Sequence, residues 1–136
     1  MLTSGRTIYL DSSALVKLVV REPEFNTLHS YLRNWHIRAS SELALVEVVR
    51  AVRRRGQEAV HLAHDVMKGV NLVQMERPLL ETAARLDPIP LRSLDAIHIA
   101  AALTLGEVLS EIVTYDNRMA DAARAVGLRV VMPGRD

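Results

Sequence analysis

Apolar residues come along this chain in two alternating kinds of run: short blocks of three to six, and longer stretches spaced for one face of a helix. Single capping or turn residues divide them. Ile8–Leu10 is a short apolar block stopped by Asp11, the pattern of a strand, and Ser12-Ser13 then caps an apolar helix over Ala14–Val20. Glu22-Pro23-Glu24 opens a second helix with Phe25, Leu28 and Leu32 on one face, because proline and acids both suit a first turn. Trp35–Ala39 predicts a strand. Ser40-Ser41 then caps a third helix, in which Leu43, Val46, Glu47 and Arg50 recur at helical spacing until Gly56. Ala59–Lys68 predicts a helix, Val70–Met75 a strand, and Pro78 starts a helix reaching about Leu86. The Asp87-Pro88-Ile89-Pro90 stretch is barred from a helix interior. Ser93 caps a strongly apolar helix, Leu94–Leu105, closed by Gly106. A strand at Glu111–Thr114, a helix at Asn117–Val126 closed by Gly127, and a strand at Arg129–Met132 follow, before Pro133-Gly134 begins a tail.

Strands and helices alternate with no hairpin signal. The expectation is therefore an α/β fold in three layers: a parallel sheet of about five strands with helices on both faces, formed by residues 1–136 as a single domain. Length agrees, since 136 residues make one substantial core. Apolar residues are 49% and aromatic ones 4%, so that core is aliphatic. The absence of cysteine excludes disulfides and thiolate-bound zinc. The apolar run Ala14–Val20 is interrupted by Lys17 and is far too short for a bilayer, and Met1–Thr7 lacks a signal-peptide core. A cytoplasmic protein with no membrane association is expected. A net charge of +1 excludes nucleic-acid binding by overall charge, so any RNA contact must be local.

Parallel sheets bind ligands at the carboxyl ends of their strands, near the switch in strand order. Asp11 and Asp116 follow predicted strands directly, and Asp95 sits in the first turn of a helix, on the same side of such a sheet. Glu47 lies mid-helix among apolar neighbours and is placed to point toward that edge. Each has a plainer use: Asp11 and Asp116 as helix caps or turn residues, Asp95 on a helix dipole, Glu47 paired with Arg50 or Arg54. Together they carry more. Carboxylates brought close repel unless a cation intervenes, and an all-oxygen set favours Mg²⁺ or Mn²⁺. Such an ion activates water and neutralises phosphate charge, so phosphodiester hydrolysis is the natural chemistry.

The strings Tyr9-Leu10-Asp11-Ser12-Ser13-Ala14-Leu15-Val16-Lys17, Ser93-Leu94-Asp95-Ala96-Ile97-His98-Ile99-Ala100 and Val113-Thr114-Tyr115-Asp116 resemble the PIN-domain nucleases, and most closely the VapC-type toxins of bacterial toxin–antitoxin pairs. The resemblance runs from about Ile8 to Val131. It implies that Asp11, Glu47, Asp95 and Asp116 form the family's acidic quartet, with Glu47 preferred over Glu42 because Val46-Glu47-Val48 resembles the family pattern. It implies a hydroxyl role for Ser13 or Thr114 near the metal waters, and a Mg²⁺- or Mn²⁺-dependent endoribonuclease acting on tRNA or rRNA. It also implies a homodimer and a small cognate antitoxin. A non-catalytic RNA-binding or protein-interaction domain of the same fold is the alternative. A receiver domain would need paired acids early in the chain and a lysine after a late strand. A dehalogenase-like phosphatase would need an acid at position 13, which is serine.

Other features have bland first readings. The Arg50, Arg53, Arg54, Arg55 cluster is a solvated helix end, with RNA phosphates or an acidic partner as the sharper use. His61 and His64 are weak candidates for a metal pair. His98, three residues after Asp95, is read as structural, with a minor claim as a general base. Lys17 is expected to snorkel from an apolar helix, with electrostatic help to Asp11 as the alternative. Leu15, Leu18, Val19, Phe25 and Leu28 are read as core, with an exposed groove for a partner as the alternative that the family resemblance favours.

Overall fold

The structure, a computed structural model, describes residues 6–135. Of the N-terminal segment read above, residues 1–5 lie outside the described residues. Five parallel strands form one sheet in the order β3-β2-β1-β4-β5, with β1 Thr7–Leu10, β2 Ile37–Ser41, β3 Asn71–Val73, β4 Leu109–Val113 and β5 Val130–Val131. The chain builds outward from β1 to β2 and β3, then returns to lay β4 against the other side of β1. The order therefore reverses between β1 and β4, and the crevice for a ligand opens beyond their carboxyl ends.

Seven α-helices cover the sheet: α1 Ser12–Val19, α2 Phe25–Leu32, α3 Leu43–Val52, α4 Gln57–Lys68, α5 Arg77–Ala84, α6 Ser93–Thr104 and α7 Asn117–Ala125. Alternation along β1 divides the core. Ile8 and Leu10 pack with α1–α4 residues such as Leu15, Leu28, Val48 and Ala63, whereas Tyr9 packs with Leu79, Ile99 and Met119 of α5, α6 and α7. Helices for strands on the two sides of the reversal thus fall on opposite faces, as right-handed crossovers require. The three-layer parallel sheet is as expected. Among the described residues no helix is long and apolar enough to cross a membrane.

Several boundaries differ from the sequence reading. The second strand runs Ile37–Ser41 instead of Trp35–Ala39, so Ser40 and Ser41 are buried strand residues, although the Ser41 hydroxyl still accepts from the Leu43 amide at 3.0 Å. β3 and β5 are shorter than expected, as sheet edges with one neighbour often are. Asp11 caps α1, which makes Ser12 and Ser13 its first helical residues. Arg92 stands where Ser93 was expected to cap α6. Leu15, Leu18, Val19 and Leu28 are core, as first read, with Phe25 half-buried at the edge, so the alternative of an exposed groove is closed.

Candidate active site

Asp11, Glu47, Asp95 and Asp116 line one cleft of about 360 Å³ together with Ser12, Ser13, Arg92 and His98. Four chain segments deliver them. β1 and β4 end side by side, joined by the Asp11 amide to the Val113 carbonyl at 3.2 Å, which sets Asp11 beside the Thr114–Asp116 turn. Asp95 comes from the first turn of α6, and Glu47 from the middle of α3 on the opposite face of the sheet.

Asp11 is buried at the bottom of the cleft. One of its oxygens accepts from the Ala14 amide at 3.0 Å, capping α1, and from the Ser13 hydroxyl at 2.6 Å; the other accepts from Thr114 Oγ1 at 2.5 Å. Both hydroxyls are pinned in turn, Ser13 Oγ by the Tyr115 amide and Thr114 Oγ1 by the Asp116 amide. Burial pushes the Asp11 carboxyl above the usual aspartate range, although the hydroxyl and amide donors oppose it. Asp116 caps α7 through Oδ1, at 2.9 Å from the Arg118 amide. Cap and site roles therefore coexist in both residues.

Asp95 Oδ2 is buried without a hydrogen-bond partner among the described residues, and the Arg92 guanidinium approaches it only to 3.5 Å. The same guanidinium lies 3.7 Å from Asp116 Oδ2, so one loosely held arginine stands between two carboxylates. Burial and the charge of Asp116 raise the Asp95 carboxyl, against the pull of Arg92. Glu47 behaves oppositely. Burial pushes it up, but Ser12 Oγ at 2.5 Å and His98 Nε2 at 2.8 Å outweigh that and hold it below the usual glutamate range. Glu47 therefore pairs with His98 and Ser12, not with Arg50 or Arg54. Glu42 turns away and caps the Met75 amide at 2.9 Å.

His98 is 3% exposed and both ring nitrogens are engaged, Nε2 with Glu47 and Nδ1 with the buried Tyr9 hydroxyl at 2.7 Å. With Nε2–H facing the carboxylate, Nδ1 accepts a hydrogen bond from the Tyr9 hydroxyl. His98 thus holds Glu47 in place and has no free nitrogen for a general base. Tyr9→Phe leaves Nδ1 without its donor, an expected loss of about 1–3 kcal/mol. Urea denaturation monitored by circular dichroism measures it, and an unchanged midpoint would remove the tyrosine from this chain of bonds.

Lys17 does not reach the cleft and does not snorkel. Its ammonium is buried 2.9 Å from both Glu22 and Glu24; burial alone lowers its pKa, and these two bonds more than restore it. Lys17, helped by Arg135 at 3.0 Å, takes the Glu24 carboxyl down to about 2. Arg135 also donates to the Tyr115 carbonyl at 2.9 Å, and the Tyr115 hydroxyl donates to the Pro133 carbonyl at 2.6 Å. The C-terminal segment therefore braces from behind the turn that carries Asp116. His61 and His64 lie exposed on α4, outside the cleft, and Arg50, Arg53, Arg54 and Arg55 are exposed where α3 ends. Sequence reading passed over Tyr9 and Arg92 as site residues. Tyr9 adjoins a motif residue but faces the other side of β1, and Arg92 carries no local signal beyond its spacing of three from Asp95.

Among the described residues no three carboxylate or imidazole groups converge closely enough to hold an ion as they stand. Each is turned toward a protein donor or Arg92. The donor set is nevertheless all oxygen and anionic, and the orphaned Asp95 oxygen has a charge to share.

The family described as PIN domain matches residues 8–125. Ribonuclease VapC46 of Mycobacterium tuberculosis (strain ATCC 25618 / H37Rv) is 47% identical over 126 residues, covering 93% of this chain and 97% of that protein. Ribonuclease VapC35 of the same strain is 41% identical over 135 residues, covering 94% and 98%. The crystal structure of Mycobacterium tuberculosis VapC20, a sarcin–ricin loop cleaving toxin, matches with a TM-score of 0.74 at 21% identity, over 93% of this chain and 99% of that one.

Proposed function

The chain belongs to the PIN-domain family, and from that premise we propose that it is a cation-dependent endoribonuclease, the toxin of a toxin–antitoxin pair, with Asp11, Glu47, Asp95 and Asp116 as its reaction centre. The observation that carries this reading is the meeting of four acids from four segments in one cleft at the switch point of a parallel sheet. Burial raises the carboxyls of two of them, Asp11 and Asp95, and the charge of Asp116 adds to the second.

Asp11, Asp95 and Asp116 would hold a Mg²⁺ or Mn²⁺ ion, and Glu47 would serve as a ligand or orient the attacking water. A bound cation of this kind supplies a water of lowered pKa and neutralises charge on the scissile phosphate. Ser13 and Thr114 keep Asp11 in one rotamer, and Ser12 and His98 do the same for Glu47. Arg92, exchanged from its long contacts with Asp95 and Asp116, becomes free to meet a phosphate oxygen. RNA, a cognate antitoxin and a second copy of the chain complete the proposed partners. Leu45, Val46, Leu80, Ile89 and Leu94 leave apolar surface open to protein partners.

Incubation with total RNA tests the reading. Cleavage is expected to stop in EDTA and return with excess Mg²⁺ or Mn²⁺. Persistent cleavage in EDTA would reject the cation, and no cleavage with either ion would reject the nuclease in favour of a binding domain.

A further inference from the structure

A second hollow, of about 460 Å³, lies beside the cleft between the Pro88–Arg92 loop and α7. The two share Arg92 and Asp95 as lining, so they meet at the guanidinium that separates Asp95 from Asp116. Their characters differ. The cleft is lined by acids and hydroxyls, whereas the hollow is walled by Pro88, Pro90, Leu91, Ala122 and Ala125. Its volume falls within the range of about 300–1,000 Å³ usual for small-molecule sites. Arg118 lines it, exposed and without an ion pair among those found in the described residues. Asp121, the acid on the same wall, is paired with Arg124 at 3.7 Å, which leaves the positive side to Arg118 and Arg92.

We propose that this hollow is a subsite for one unpaired nucleotide of the RNA, adjoining the cleaved bond. The apolar walls take the face of a base, and Arg118 takes its phosphate. A polymer whose phosphate meets Arg92 has its neighbouring residue one nucleotide away, where the shared lining opens into the hollow. A paired base cannot enter, because both its faces are stacked, so single-stranded or looped RNA is selected. The proposal rests on the ribonuclease reading above.

The experiment uses the full chain carrying Asp11→Asn, to silence cleavage, and a fluorescein-labelled random-sequence RNA hexamer read by anisotropy. Ala125→Trp fills the hollow from an exposed position at the end of α7 and should weaken hexamer binding by at least about fivefold. It should leave binding of an abasic ribose-phosphate hexamer unchanged. Arg118→Ala should weaken both probes by a similar factor and does not depend on Ala125→Trp folding. Equal hexamer affinity in all three proteins overturns the subsite, and so does no hexamer binding by the Asp11→Asn protein. EDTA-sensitive cleavage of total RNA by the unmodified chain, measured in parallel, separates loss of the subsite from loss of the nuclease reading.

Discussion

Asp11→Asn is expected to reduce RNA cleavage on the order of 10³-fold or more while leaving the protein folded. The substitution removes one negative charge from the deepest position of the cleft and little else. Asparagine keeps the oxygen that caps the Ala14 amide, and it is as good an N-cap as aspartate. The Ser13 hydroxyl keeps donating to that same oxygen, and the Thr114 hydroxyl, which donates to the other, can turn to accept from the new amide. A cleavage time course on total RNA, with a melting curve from the same preparation, measures both halves. Full activity with unchanged cation dependence in the variant would take Asp11 out of the reaction and leave it as a helix cap.

The second expectation concerns stability in the absence of metal. Asp11 is raised by its burial, and Asp95 by burial and the neighbouring Asp116 charge. A carboxyl whose folded pKa lies above its unfolded value, about 3.9 for aspartate, favours folding while protonated. That contribution is complete below the unfolded pKa and is lost as pH climbs through the folded one. In EDTA the wild-type melting temperature should therefore fall relative to Asp11→Asn as pH rises across this window. Each kcal/mol lost moves the midpoint of a chain this size by roughly 3–5 °C. Glu24 and Glu47 act in the other sense. Their pKa values are depressed, Glu24 to about 2, so their contributions are present above the unfolded pKa and lost toward acid. The difference between wild type and Asp11→Asn cancels them, because both proteins keep those residues.

At neutral pH, Mn²⁺ at a hundredfold above its dissociation constant should return about 2.7 kcal/mol to the wild type. Asp11→Asn should gain much less. A melting temperature indifferent to Mn²⁺, together with a wild-type-to-variant difference that does not change with pH, would contradict the proposed cation site. The same scans test whether Arg92 balances Asp95 and Asp116 in the metal-free protein, since Arg92→Ala should lower the apo midpoint and spare the Mn²⁺-bound one.

What the sequence determined by itself were the features set by nearest neighbours. Ile8–Leu10 stopped by Asp11 reads as a strand entering a helix because both patterns are local, although the cap is Asp11 and not Ser12-Ser13, and the helix from Asn117, closed by Gly127, ends one residue earlier than read. The parallel three-layer class follows from that alternation, and strand-end acids then share an edge by construction. Boundaries failed where a tertiary partner overrode local preference. Ser40 and Ser41 read as caps, yet β2 extends over them because β3 supplies their ladder partners, Leu72 and Val73.

Only the tertiary structure decided how the side chains are partnered. Glu47 meets His98 across 51 residues and Ser12 across 35, because α3 and α6 arrive from opposite faces of one sheet. Lys17 was read as snorkelling, but its Glu24 partner is held by Arg135, 111 residues away from that glutamate. Periodicity records which face of an element is apolar, since burial acts on each residue separately. It does not record which distant charge a buried charge will meet, because that pairing exists only once the layers have closed on one another.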